Sequence, residues 1–127
     1  MRARSSSSCG RKWPDAAAVA QAVEAWAQAS AAKWPQVVRV GYFGSYARGN
    51  WGVGSDVDLV VIVREDPRPF WERAGDFDAT GLPVPADVFV YTEKEWAELA
   101  GQPGFGRTAA AEVIWVYCRP EKLPAGA

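Results

Sequence analysis

Gly44-Ser45-Tyr46-Ala47-Arg48-Gly49-Asn50-Trp51-Gly52-Val53-Gly54-Ser55-Asp56-Val57-Asp58-Leu59-Val60-Val61 decides the fold of this chain. Upstream of it, Val37, Val38 and Val40 open a β-branched run that passes through Tyr42 and Phe43 into Gly44-Ser45, which reads as a first strand. Ser45 to Arg48 then reads as a short helical turn, and Gly49 to Gly54 as a glycine-rich loop. The run Asp56 to Val63 is the clearest strand of the chain. After its first three residues both faces are apolar, which predicts a central strand covered on both sides.

Side chains alternate along a strand, so Asp56 and Asp58 point to the same face, about 6 to 7 Å apart. Two carboxylates held so close repel one another unless a cation lies between them. An oxygen-loving divalent ion such as Mg²⁺ resolves the conflict, taking one or two carboxylates and completing its shell with phosphates and water. Asp87 opens the β-run Asp87 to Tyr91 in the same way, as its single charged residue. If the two strands are neighbours, the three acids converge. Such a set can hold two Mg²⁺ ions, and a clamp about 3.5 to 4 Å wide stabilises both the attacking and the leaving oxygen of a phosphoryl or nucleotidyl displacement. Gly44 lets the backbone approach a phosphate, Ser45 offers a hydroxyl and an N–H at a helix start, and Arg48, about one turn on, can aim its guanidinium at the same anion.

The combined pattern G-S-x10-D-x-D, here GSYARG followed by SDVDL, resembles the DNA polymerase beta-like nucleotidyltransferase superfamily. It is most similar to the minimal nucleotidyltransferases encoded with HEPN-domain partners, over residues 37–118. The resemblance implies that Gly44 and Ser45 form the phosphate-contacting turn, and that Asp56, Asp58 and Asp87 are the catalytic, metal-holding acids. Asp87 would also receive the proton of the acceptor hydroxyl. It implies an α/β (α+β) fold, a small mixed β-sheet with helices packed on one face and the nucleotide at the strand ends.

The implied activity is Mg²⁺-dependent transfer of AMP from ATP to a hydroxyl, as in an antitoxin that adenylylates a HEPN toxin. Two alternatives stay open: an adenylyltransferase for a small molecule such as an aminoglycoside, and a non-catalytic antitoxin that keeps the fold. Larger relatives carry a C-terminal helical domain for acceptor recognition that has no counterpart here. The acceptor surface would then come from a partner, a second copy of the chain, or the substrate itself.

Composition narrows the chemistry further. In 127 residues there is no histidine, which excludes Ser-His-Asp and Cys-His nucleophiles, HExxH metalloproteases and histidine-ligated zinc. Four of the 14 basic residues lie in the first twelve positions, leaving ten against all 15 acids, a net charge of −5 from Trp13 onward. An acidic body argues against nucleic acid as the main partner. Cys9 and Cys118 have no metal-like spacing and read as reduced thiols. Residues 1–12, basic and serine-rich, read as a disordered tail, and 13–127 as one domain. With no secretory h-region and no run of 18 apolar residues, the expected location is the cytoplasm, with no membrane partner.

The flanking elements follow from simple signals. Pro14 to Lys33 reads as an amphipathic helix with Val19, Val23, Trp26 and Ser30 on one face, Pro14 in its first turn and Pro35 stopping it. Phe70 to Arg73 reads as a short helix. Thr92 and Glu95 fit a capping box for a helix running to Ala100, ended by Gly101. Glu112 to Tyr117 supplies a last strand. Trp51, in the glycine loop, suits stacking on a base, facing a partner, or packing on its own domain. The other tryptophans suit the core or an interface.

Overall fold

The computed structural model describes residues 13–104 and 110–120, so the basic tail and Cys9 lie outside the described residues. Four strands, β1 (Val37–Phe43), β2 (Val57–Val63), β3 (Ala86–Thr92) and β4 (Ile114–Cys118), form one sheet in the order β3-β2-β1-β4. β1 runs antiparallel to both of its neighbours, whereas β2 and β3 are parallel. The sheet is therefore mixed, and β2 is interior, as its two apolar faces require.

Period-two alternation divides β2 between two cores. Val57, Leu59, Val61 and Val63 meet the long helix α1 (Ala16–Lys33), through Val19, Val23, Ala27 and Ala31. Val60 and Ile62 turn the other way, toward Trp96 of α4 (Glu93–Ala100), with Phe43, Tyr91 and Trp115 around them. α1 covers one face together with Tyr46, whereas α4 reaches the opposite face through Trp96, because the even residues of β2 also need cover.

α1 is capped by Asp15, whose Oδ1 accepts from Ala18 N–H at 2.9 Å. The expected start at Pro14 thus moves inward, since the carboxylate satisfies an N–H that proline cannot influence. The helix ends at Lys33 as read, with Trp34 as its C-cap before Pro35. Trp26 is only partly buried, and Ala27 takes the central buried position beside Val23. The capping box of α4 forms as read: Glu95 N–H reaches Thr92 Oγ1 at 3.1 Å, and Thr92 N–H reaches Glu95 Oε1 at 3.0 Å.

β4 begins at Ile114, two residues later than Glu112. The register against β1 slips between Val40 and Gly41, and a Cβ on Gly41 would lie 2.6 Å from Val113 Cγ1 and 2.7 Å from the Ile114 carbonyl oxygen. Only a bare α-carbon lets β4 come this close. Glu112 is left before the strand, free to turn elsewhere.

The connector from β2 to β3 is tied down by arginines. Arg68 binds Asp66 and Asp76 at 2.7 and 2.6 Å. Arg73, at the end of α3 (Phe70–Arg73), is 5% exposed and donates to the carbonyls of Asp66, Arg68 and Val90 and to Glu95. Trp26 and Trp34 donate their indole N–H groups to the carbonyls of Asp78 and Asp76, with Phe77 between the rings. Trp71 stands 79% exposed. No helix among the described residues is long and apolar enough to cross a membrane.

Candidate active site

The acids come together through sheet register. Asp58 and Asp87 are direct partners on the parallel strands β2 and β3, so they share one face. Phe43 is the partner of Asp58 on β1, and its ring lies 5.8 Å from that of Phe89, two residues beyond Asp87. The two carboxylates therefore rise beside an aromatic floor at the start of the parallel pair. Asp56, exposed, precedes β2 on the same side.

Their electrostatics carry the mark of crowding. Burial, then the negative charges of Asp87 and Asp56, push the Asp58 carboxyl above the usual carboxylate range, with Arg48 opposing them. Asp87 and Asp56 thus both bear on Asp58. A hard divalent cation is the chemical complement of such a donor set, and Asp56, Asp58 and Asp87 fit it in kind. Among the described residues, however, no three acidic, histidine or cysteine side chains are gathered closely enough to hold a metal ion. The backbone brings the acids to one place; the side chains are not closed into a ligand cage.

Gly44 is the hinge of the other half. Its φ of +93° is open to glycine and strained for other residues, and an added Cβ would lie 2.6 Å from Asp58 Oδ2. β1 therefore delivers the turn directly against the carboxylate. α2 (Ser45–Arg48) follows at once, with Gly44 accepting from Arg48 N–H at 2.9 Å and no side chain capping its start. Its first N–H groups have no acceptor within the helix, as at any helix start. Ser45 is half-buried there.

Arg48 points in a direction the spacing does not reveal. Its Nη1 lies 3.1 Å from Glu112 Oε1, and both side chains are partly exposed. Sixty-four residues separate the two, so no local pattern signals Glu112. Trp51 stacks on Tyr46, 5.5 Å apart and 8° from parallel, while the Tyr46 hydroxyl donates to the Pro14 carbonyl at 3.0 Å. This loop aromatic packs on its own domain through Tyr46.

A cleft of about 910 Å³ adjoins Asp87 on the outer side of β3. Asp87 and Phe89 line one side and the segment from Ala74 to Pro85 the other. Neither its wall nor its acid Asp78 carries a sequence motif.

The sequence profile described as Nucleotidyltransferase domain matches residues 24–115. Among solved structures, the chain resembles one from Sulfolobus solfataricus to which nucleotidyltransferase activity has been ascribed, with a TM-score of 0.62 and 17% identity, over 82% of this chain and 84% of that one. It also resembles a chain of a toxin-antitoxin structure with AMP-PNP, with a TM-score of 0.51 and 19% identity, over 76% and 73% of the two chains. At these identities the likeness is one of fold. No curated protein matches the chain.

Proposed function

Since the chain belongs to the nucleotidyltransferase domain family and is thereby an enzyme of that class, we propose that it transfers AMP from ATP to a tyrosine hydroxyl of a HEPN-type partner protein, in the cytoplasm. The observation that carries this reading is the Asp58–Asp87 register with Gly44 pressed against Asp58. That arrangement sets a glycine turn and a helix start beside paired carboxylates.

In this reading Gly44 and Ser45 seat the triphosphate, and Arg48 exchanges Glu112 for phosphate as its partner. Asp56, Asp58 and Asp87 would hold Mg²⁺, two ions in the full set, which neutralises charge on the phosphates. Asp87 takes the proton of the attacking hydroxyl. The new bond is oxygen to α-phosphorus, the bond to the bridging oxygen breaks, and pyrophosphate leaves. The similar toxin-antitoxin structure with AMP-PNP supports an adenine nucleotide and a protein partner.

Co-expression with the partner, followed by intact-mass measurement with and without ATP and Mg²⁺, tests the reading. A gain of one AMP on the partner, lost with Asp58→Asn, is expected. A tight complex with an unmodified partner and no pyrophosphate would make the chain a binding antitoxin instead.

A further inference from the structure

We infer that the cleft along the outer edge of β3 is the acceptor site, and that it takes an extended, basic polypeptide segment which pairs with the open strand edge and presents its hydroxyl to Asp87. The inference rests on the nucleotidyl-transfer reading and locates the second substrate within it.

The strand order carries the argument. In β3-β2-β1, Asp58 stands between Asp87 on one side and the Gly44 turn on the other. Displacement at phosphorus needs the attacking and leaving oxygens roughly in line, hence on opposite sides of the reacting centre. With the triphosphate seated on the β1 side, the acceptor must enter from the β3 side. The 910 Å³ cleft is there, and Asp87 forms part of its lining.

The edge itself favours a polypeptide. Pro85 turns its carbonyl toward β2, where it accepts from Val57 N–H at 2.9 Å, so the alternate residues Ala86, Val88 and Val90 direct their backbone groups outward. Val90 is already covered, its carbonyl meeting Arg73 Nη1 at 3.4 Å. Ala86 and Val88 remain as a short open edge facing the cleft, a length that one added strand can use.

Charge and rigidity fit the same occupant. The ionisable residues lining the cleft are Asp78 and Asp87, both acidic, among apolar neighbours such as Phe77, Leu82 and Val84. Basic side chains on the incoming segment complement them. The outer wall is preformed: Trp26 holds the Asp78 carbonyl, and Asp78 itself binds Thr80 N–H at 3.0 Å and Thr80 Oγ1 at 2.6 Å. An ordered wall spares the incoming segment the entropy of building its own site.

The test uses the full chain with tyrosine-centred decapeptides flanked by lysine or by glutamate. Label transfer from α-labelled ATP is expected to favour the lysine-flanked peptide by at least about tenfold in kcat/KM. Asp78→Asn, which keeps an acceptor for Thr80, should shrink that preference, and Asp78→Lys should abolish it, while ATP binding stays unchanged. Amide exchange with the lysine-flanked peptide should slow at Ala86 and Val88. Protection without transfer keeps the acceptor site and sinks the catalytic reading. Transfer that ignores Asp78 and leaves those amides unprotected overturns the site and spares the catalytic reading. Efficient labelling of an aminoglycoside in place of the peptides overturns it too.

Discussion

Asp58 and Asp87 face each other across the parallel strands β2 and β3, and the pressure of Asp87, added to burial, holds the Asp58 carboxyl above its ordinary range. A folded-state pKa above the unfolded value means that the native state binds the proton more tightly. Asp58 therefore costs stability once pH rises above the unfolded value, and the cost is absent in acid.

Asp58→Asn should consequently leave the fold as stable as before or more so at neutral pH, with the difference vanishing in acid. Transfer should fall by at least about a hundredfold, the scale of removing one partner of transition-state charge. Thermal melts at pH 7 and pH 3, paired with label transfer, check both. A variant that loses activity because it unfolds at pH 7 contradicts the account.

Gly44→Ala puts a Cβ 2.6 Å from Asp58 Oδ2 on a backbone with φ of +93°. A cost of about 1 to 3 kcal/mol is expected, together with loss of transfer as the carboxylate is displaced. Gly54 has φ of +90° but nothing within 4 Å of an added Cβ. Gly54→Ala should lose stability on a similar scale and retain transfer, so urea titration and activity together separate strain from displacement.

Glu112→Gln frees Arg48 from an ion pair whose members are 47% and 27% exposed. Such a pair is worth less than about 1 kcal/mol. The melting temperature should barely move, whereas KM for ATP should fall because phosphate no longer competes for the guanidinium. Arg48→Ala should raise KM. Equal KM values in all three proteins would remove Arg48 from the phosphate site.

Acid should weaken the connector. Hydrogen bonds from Arg68 hold Asp66 down to about 2, and Arg73 holds Glu95 below the usual range. Depressed carboxylates stabilise the fold above their unfolded values, about 4, and the benefit disappears as pH falls through the folded ones. The connector's contribution to stability should be flat between pH 7 and 5 and drop from pH 4 toward 2. Asp66→Asn should be less stable at pH 7 and show a shallower drop, as read by urea titration across pH.

Removing Arg73 tests the same connector from its buried end. Arg73→Ala strands the carbonyls of Asp66, Arg68 and Val90, an expected loss of about 2 to 3 kcal/mol with the midpoint of urea unfolding lowered.

By itself the sequence determined the local elements. The capping box at Thr92 and Glu95 and the short helices at Ser45 and Phe70 depend on neighbours within a few residues and form where read, and the strands form within two residues of their reading. It also determined the family, because GSYARG and SDVDL lie within one short stretch. Only the tertiary structure decided that β3 lies parallel beside β2, so that Asp87 meets Asp58. It alone gave Arg48 a partner 64 residues away, turned Trp51 onto Tyr46, and opened a cleft on the edge of β3. Strand order and long-range ion pairs arise from how the cores close, and no short-range spacing encodes that closure.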